Sequence, residues 1–144
     1  MEDKDLIRYS RHIMLPEIDI EGQISISSSK IAVVGLGGLG CSASVYLAAS
    51  GVGELNLIDN DLIDLSNLQR QILFSEADLN KKKVDTAKIK LSSLNENIKV
   101  NSSNLRLNKS NIRKILEGSE IVLDCTDNFE TRKVINAYLS LIHI

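Results

Sequence analysis

The stretch from Lys30 to Asp61 constrains this chain more than any other. Ile31 to Val34 form a short apolar run with two valines, the pattern of a strand buried on both faces of a parallel sheet. Gly35, Gly37 and Gly40 follow with G-x-G-x-x-G spacing, and Cys41 to Ala49 are small and apolar enough to pack a helix on the sheet. Each glycine has a mechanical reason to be there, namely a tight turn, close approach of backbone to a phosphate, and close helix packing. The helix N-terminus offers free N–H groups and a positive dipole end to an anion. Leu55 to Ile58 form a second strand with Asp59 at its C-terminal end, where a carboxylate can bind ribose hydroxyls. A ligand-free glycine turn shares the first part of this pattern. Strand, glycines, helix, strand and terminal Asp in succession point to a nucleotide site.

Further strands alternate with helices along the chain. Ile98 to Asn101 reads as a short strand, Asn111 to Leu116 as an amphipathic helix ended by Gly118, and Ile121 to Leu123 as another buried strand. That strand runs into Asp124-Cys125-Thr126-Asp127-Asn128, which puts carboxylates where open α/β sheets bind ligands, and Thr131 to Leu139 looks helical. The order implies right-handed crossovers in a Rossmann-like α/β fold, a mostly parallel sheet flanked by helices. Residues 1–29 read as an N-terminal helix and linker, and residues 30–144 as a nucleotide-binding α/β domain.

Within the N-terminal part, Glu2 to Tyr9 reads as a short helix with Leu6, Ile7 and Tyr9 as its apolar members, and Pro16 ends any helix near Leu15. Gln23 to Ser29 is serine-rich and reads as a linker. Asp59, Asp61 and Asp64 crowd a loop that could attract a metal, although Asp also favours turns by bonding its own backbone. Ser75 to Asp78 has the form of a capping box, with Asp in its last position, and predicts a helix start. Asn80 to Lys83 then open a helix to about Leu94, with Val84, Ala87, Leu91 and Leu94 on its apolar side. Lysines at a helix N-terminus oppose the dipole by a few tenths of a kcal/mol up to about 1. An incoming triphosphate would reverse that sign; three solvated lysines are the plainer alternative.

Composition narrows the class. With 144 residues the chain is about one domain, and 43% hydrophobic against 25% charged residues is the balance of a soluble globular protein. A net charge of −2 leaves no basic footprint for nucleic acid, and the apolar runs are too short to span a bilayer. Cys41 and Cys125 form no Cys-x-x-Cys pair and sit in apolar, buried-looking segments, and His12 and His143 have no partner at metal-ligand spacing. The N-terminus lacks a hydrophobic signal stretch, so a cytoplasmic location is the default.

Five ordered motifs, Arg8-Tyr9-Ser10-Arg11-His12, Gly35 to Gly40, Ser66-Asn67-Leu68-Gln69-Arg70-Gln71, Lys83-Val84 and Asp124 to Asn128, resemble those of the MoeB/ThiF adenylyltransferases, bacterial relatives of the ubiquitin-activating enzymes. The resemblance covers Leu6 to Tyr138. It implies an enzyme that uses ATP and Mg²⁺ to adenylate the C-terminal glycine of a ubiquitin-like sulfur-carrier protein, in molybdopterin or thiamine biosynthesis, releasing pyrophosphate. It further implies that Gly38 lies against the nucleotide, Asp59 holds the ribose, and Asn67, Arg70 and Lys83 address the phosphates. Asp127 would help to hold Mg²⁺, and Asn128 would line the same site. Arg11 resembles the arginine that reaches into a neighbouring subunit's site, which implies a homodimer.

Family members continue well beyond this length, usually with paired Cys-x-x-Cys motifs that bind structural zinc. The chain therefore reads as the truncated nucleotide half of such an enzyme, with residues 139–144 an arbitrary end. Two other readings compete: an inert nucleotide-site remnant, and an NAD-binding Rossmann module, which would leave Ser66 to Gln71 and Asp124 to Asn128 without a role.

Overall fold

A computed structural model describes residues 1–142; His143 and Ile144, which end the tail expected to be arbitrary, lie outside the described residues. Three helices, α1 (Asp3–Arg8), α2 (Ser10–Ile13) and α3 (Asp19–Ser28), precede β1 (Lys30–Val34). There follow α4 (Gly38–Ser50), β2 (Glu54–Ile58), α5 (Lys83–Leu94), β3 (Lys99–Ser103), α6 (Ile112–Leu116), β4 (Ile121–Asp124) and α7 (Phe129–Ile142). The four strands form one parallel sheet in the order β3-β2-β1-β4, with Val34 opposite Ile58 on one side and Asp124 on the other.

The uninterrupted apolar run of β1 follows from burial on both faces. Ile31 and Val33, with Leu55 and Leu57 of β2, pack on Cys41 and Ala48 of α4 and on Val84, Ala87 and Leu91 of α5. Ala32, Val34 and Ile58 point the other way, onto Leu107, Ile112, Leu116 and Ile135. The Rossmann-like α/β expectation is met. No helix among the described residues is long and apolar enough to cross a membrane.

Several local expectations are corrected. Gln23 to Ser29 is no linker: most of it belongs to α3, whose buried Gln23 donates from Nε2 to the Ser50 carbonyl (2.9 Å) while its Oε1 meets His12 Nδ1 at 2.9 Å. A satisfied buried amide anchors this helix where a hydrophobic stripe would normally do so. The capping box at Ser75 forms, but it closes a single 3₁₀ turn, Glu76–Asp78, and the long helix starts at Lys83. Leu94 belongs to the last turn of α5 and is exposed. β4 is a sheet edge, so Ile121 is 50% exposed instead of buried.

The N-terminal helices sit at one end of the sandwich. Asn95, just past α5, donates from Nδ2 to the Tyr9 hydroxyl (2.8 Å) and to the Ala48 carbonyl (2.9 Å), so α1 and α2 are tied to the C-terminal ends of α4 and α5. The opposite ends of those two helices hold the glycine turn and Lys83.

Candidate functional site

Strand order turns around at β1, whose neighbours β2 and β4 lie on opposite sides. From β1 the chain passes into α4 on one face, and from β4 into α7 on the other, which opens a crevice at the strands' C-terminal ends. The crevice is an open cavity of about 830 Å³.

Its floor is the glycine turn. Gly35 has φ +93°, and a Cβ there would lie 2.8 Å from the Cys125 carbonyl oxygen. Gly40 is packed closer still, since a Cβ would fall 1.8 Å from the Gly35 carbonyl oxygen. Gly40 does not line the cavity and serves the close fit of α4 on the strand ends. Gly37 lines the cavity with nothing within 4 Å of its Cβ position, and Gly38 begins α4 with the stem of Arg70 across it at 3.3 Å.

Asp59 fixes the shape of that turn. Its Oδ2 accepts from Leu36 N at 2.6 Å and its Oδ1 from Asp61 N at 2.7 Å. Lys83, the first residue of α5, is 4% exposed, and its Nζ lies 2.9 Å from Asp61 Oδ2. Of the lysines from 81 to 83, this one is buried and aimed at the cavity wall. Asp64 bonds the backbone and hydroxyl of Ser66, whose side chain chiefly holds its carboxyl below the usual range. The crowded loop is thus largely a set of turns, and among the described residues no three of His, Cys, Asp or Glu are grouped to hold a metal.

Asn67 ends the 3₁₀ turn Leu65–Asn67, and its Oδ1 accepts from Arg70 Nη2 (3.1 Å) and Gln71 Nε2 (3.3 Å). On the opposite wall Asp127 is exposed, and Asn128 Oδ1 accepts from Thr131 N at 2.9 Å, capping α7. Gly35, Gly37, Gly38, Asp59, Asn67, Arg70, Lys83, Asp127 and Asn128 therefore share one cavity. Arg11 does not join them: it is exposed on α2, at the far end. Lys83 and the Asn95 junction are separated by the length of α5, about 17 Å at its helical rise.

Two lining cations escape a reading of the sequence. Arg106 follows β3 in a loop, with Nη2 3.4 Å from Asn128 Oδ1, and Arg132 donates to the Thr126 carbonyl from Nε at 3.0 Å. Arg132 could have been found one helical turn beyond Asn128; nothing local marks Arg106. With Arg70 and Lys83 they face Asp59, Asp61 and Asp127, and two of those carboxylates are already engaged. The cavity wall is rich in anion-binding groups. Burial pushes the Cys41 thiol behind the turn up to about 12, and burial also raises that of half-buried Cys125 on the wall, so neither is a ready nucleophile at neutral pH.

Comparison with known proteins gives concordant matches. The ThiF family matches residues 9–141. Molybdopterin-synthase adenylyltransferase of Haemophilus influenzae is 46% identical over 132 residues, which are 92% of this chain and 54% of that protein. Sulfur carrier protein ThiS adenylyltransferase of Escherichia coli is 44% identical over 137 residues, 95% of this chain and 55% of its own. A crystal structure of E. coli MccB with ATP superimposes with a TM-score of 0.77 at 36% identity, over 83% of this chain and 36% of that one. The chain spans about half the length of the curated relatives it matches.

Proposed function

This chain belongs to the ThiF family, and from that premise we propose that its cavity is the nucleotide site of an ATP-dependent adenylyltransferase acting on the C-terminal glycine of a ubiquitin-like sulfur-carrier protein. The observation that carries this reading is convergence: the glycine turn, Arg70, Lys83 and Asp127 come from four separate segments and line one cavity. The adenylyltransferase names of the relatives and the ATP complex of a structural neighbour support it.

The residues present suit ATP. Open space at Gly37 is a cradle that any side chain would fill, the first turn of α4 offers free backbone N–H groups, and Asp59 stands at the end of β2 for a ribose. They suit Mg²⁺ only as a metal carried by the phosphates, since of the two exposed carboxylates on the wall Asp61 is paired with Lys83, which leaves Asp127 to the metal, and Mg²⁺ is usually held by one or two carboxylates plus phosphate oxygens. When bound there, Mg²⁺ supplies neutralising charge to the phosphates.

In the reaction the carrier's terminal carboxylate attacks the α-phosphorus of ATP. A carboxyl–phosphorus bond forms, the bond to the β-phosphate oxygen breaks, and pyrophosphate leaves. The nucleophile is already ionised at neutral pH, so this chain need hold no general base. What it must do is bring an anion up to a polyanion. Arg70 and Lys83 offset the negative charge that builds on the phosphates, Asn67 and Asn128 add polar contacts, and the glycine turn fixes position. Arg11 would serve the site of a second copy, which makes the working unit a homodimer. The free thiols of Cys41 and Cys125 suit the reducing cytoplasm.

The test is exchange of labelled pyrophosphate into ATP by a full-length version of the protein, since this chain spans about half the length of the curated relatives it matches. Exchange that requires both a sulfur carrier with an intact C-terminal glycine and Asp127 is the expected result. Calorimetric preference for NAD over ATP with Mg²⁺ would overturn the reading.

A further inference from the structure

A lysine in the first turn of a helix, almost wholly buried, is placed against two physical preferences at once. The helix dipole repels it, and burial penalises an unpaired ammonium. Lys83 occupies that position, and the ion pair described for it is with Asp61. We propose that Asp61 is a positioning residue, which presets the Lys83 ammonium for the terminal phosphates of ATP and couples it to the glycine turn. The inference rests on the nucleotide reading of the cavity and adds to it a residue with a defined role.

Asp61 is joined to Lys83 twice, through the carboxylate at 2.9 Å and through its carbonyl, which accepts from Lys83 N at 3.1 Å. The next residues hold this geometry. Leu62 bridges Lys82 in antiparallel fashion, Ile63 N donates to the Lys81 carbonyl, and the Ile63 side chain is buried. On its other side Asp61 N is held by Asp59, which also grips Leu36 N in the glycine turn. A continuous path therefore runs from the turn through Asp59 and Asp61 to Lys83.

Asp61 differs from its loop neighbours in how its carboxylate is used. Asp59 spends its carboxylate on backbone N–H groups and Asp64 on the backbone N–H and hydroxyl of Ser66, whereas the bond described for the Asp61 side chain goes to the ammonium. The side chain of Asp61 is 58% exposed while that of Lys83 is 5% exposed. Solvent screens the carboxylate, and the more highly charged phosphates can draw the ammonium from it without leaving it buried and unpaired at any stage.

The test is calorimetric titration of ATP and of AMP onto the wild-type chain, Asp61→Asn, Asp61→Glu, Lys83→Gln and the double variant Asp61→Asn/Lys83→Gln. Asp61→Asn should weaken ATP about tenfold, the scale of one charge-assisted hydrogen bond. AMP lacks the β- and γ-phosphates and should be held as in the wild type. Asp61→Glu should recover most of the loss, and Asp61→Asn should change nothing further once Lys83 is gone. Equal losses for ATP and AMP, ATP binding by Asp61→Asn at or above wild-type strength, or an undiminished effect without Lys83 would each overturn this inference alone. A wild-type chain that binds no ATP would overturn the nucleotide reading and this inference together.

Discussion

Gly37 and Gly40 stand one turn apart and do opposite work. An alanine at 40 must push its Cβ into a backbone oxygen 1.8 Å away, and backbone has no rotamer to move. Gly40→Ala should cost about 3 kcal/mol or more, as overpacking does, and lower the melting temperature by roughly 10 °C for a chain of this size. An alanine at 37 meets open space in an extended backbone that any residue adopts, so the fold should melt within about 2 °C of the wild type. Its methyl group would fill the cradle, and ATP affinity should fall at least tenfold. Thermal melting and calorimetry on the two variants separate a packing glycine from a binding one; melting temperatures that move together would reject the distinction.

At the scale of elements, the cavity depends on where α5 begins, and Asp78 sets that point. Its buried carboxylate accepts from Ser75 N (3.0 Å), Ser75 Oγ (2.9 Å) and Lys81 Nζ (3.3 Å), and it pairs with Lys90 on α5 itself. The Lys90 bond, with those from Ser75 and Lys81, holds the Asp78 carboxyl well below the usual range. A carboxyl depressed in the folded state gives its stability above the unfolded value, about 4, and loses it as pH falls through the folded one. Asp78→Asn should therefore lose about 2 kcal/mol at pH 7, the scale of hydrogen bonds to a charged group, and the gap should narrow below about pH 4. Urea midpoints across that range check it, and a pH-independent gap would contradict the assignment. Elements whose burial is apolar were legible in the sequence: β1, β2, α4 and α5 follow from runs and periodicity. α3 was not, because Gln23 holds it through two hydrogen bonds that no hydropathy pattern reports. The same limit applied to the site. The glycine turn, Asp59 and Asp124 to Asn128 could be placed on strand ends and Lys83 at a helix start, but the Asp61–Lys83 pair and the approach of Arg106 to Asn128 join residues far apart in the chain, so only the folded topology reveals them.

For the molecule as a whole the informative residue is the one that misses the cavity. Arg11 is exposed on α2, at the end of the sandwich to which Tyr9 and Asn95 tie the N-terminal helices, with the length of α5 between that end and Lys83. An arginine side chain is too short to cover such a gap, so a role for Arg11 at a nucleotide site requires a second copy of the chain, arranged so that each copy completes the other's cavity. Mixing variants distinguishes this from a merely solvated arginine. Arg11→Ala and Lys83→Ala should each abolish carrier-dependent pyrophosphate exchange on their own. In a mixed dimer the Arg11→Ala chain keeps its own Lys83 and borrows Arg11 from its partner, while the reciprocal site lacks both. Random exchange of equal amounts should therefore restore about a quarter of wild-type activity, because half of the dimers are mixed and each has one complete site. Recovery near that level supports a shared site, whereas no recovery from variants that still dimerise and exchange subunits would rule a shared site out, and wild-type exchange by Arg11→Ala alone would leave Arg11 with no part in the reaction.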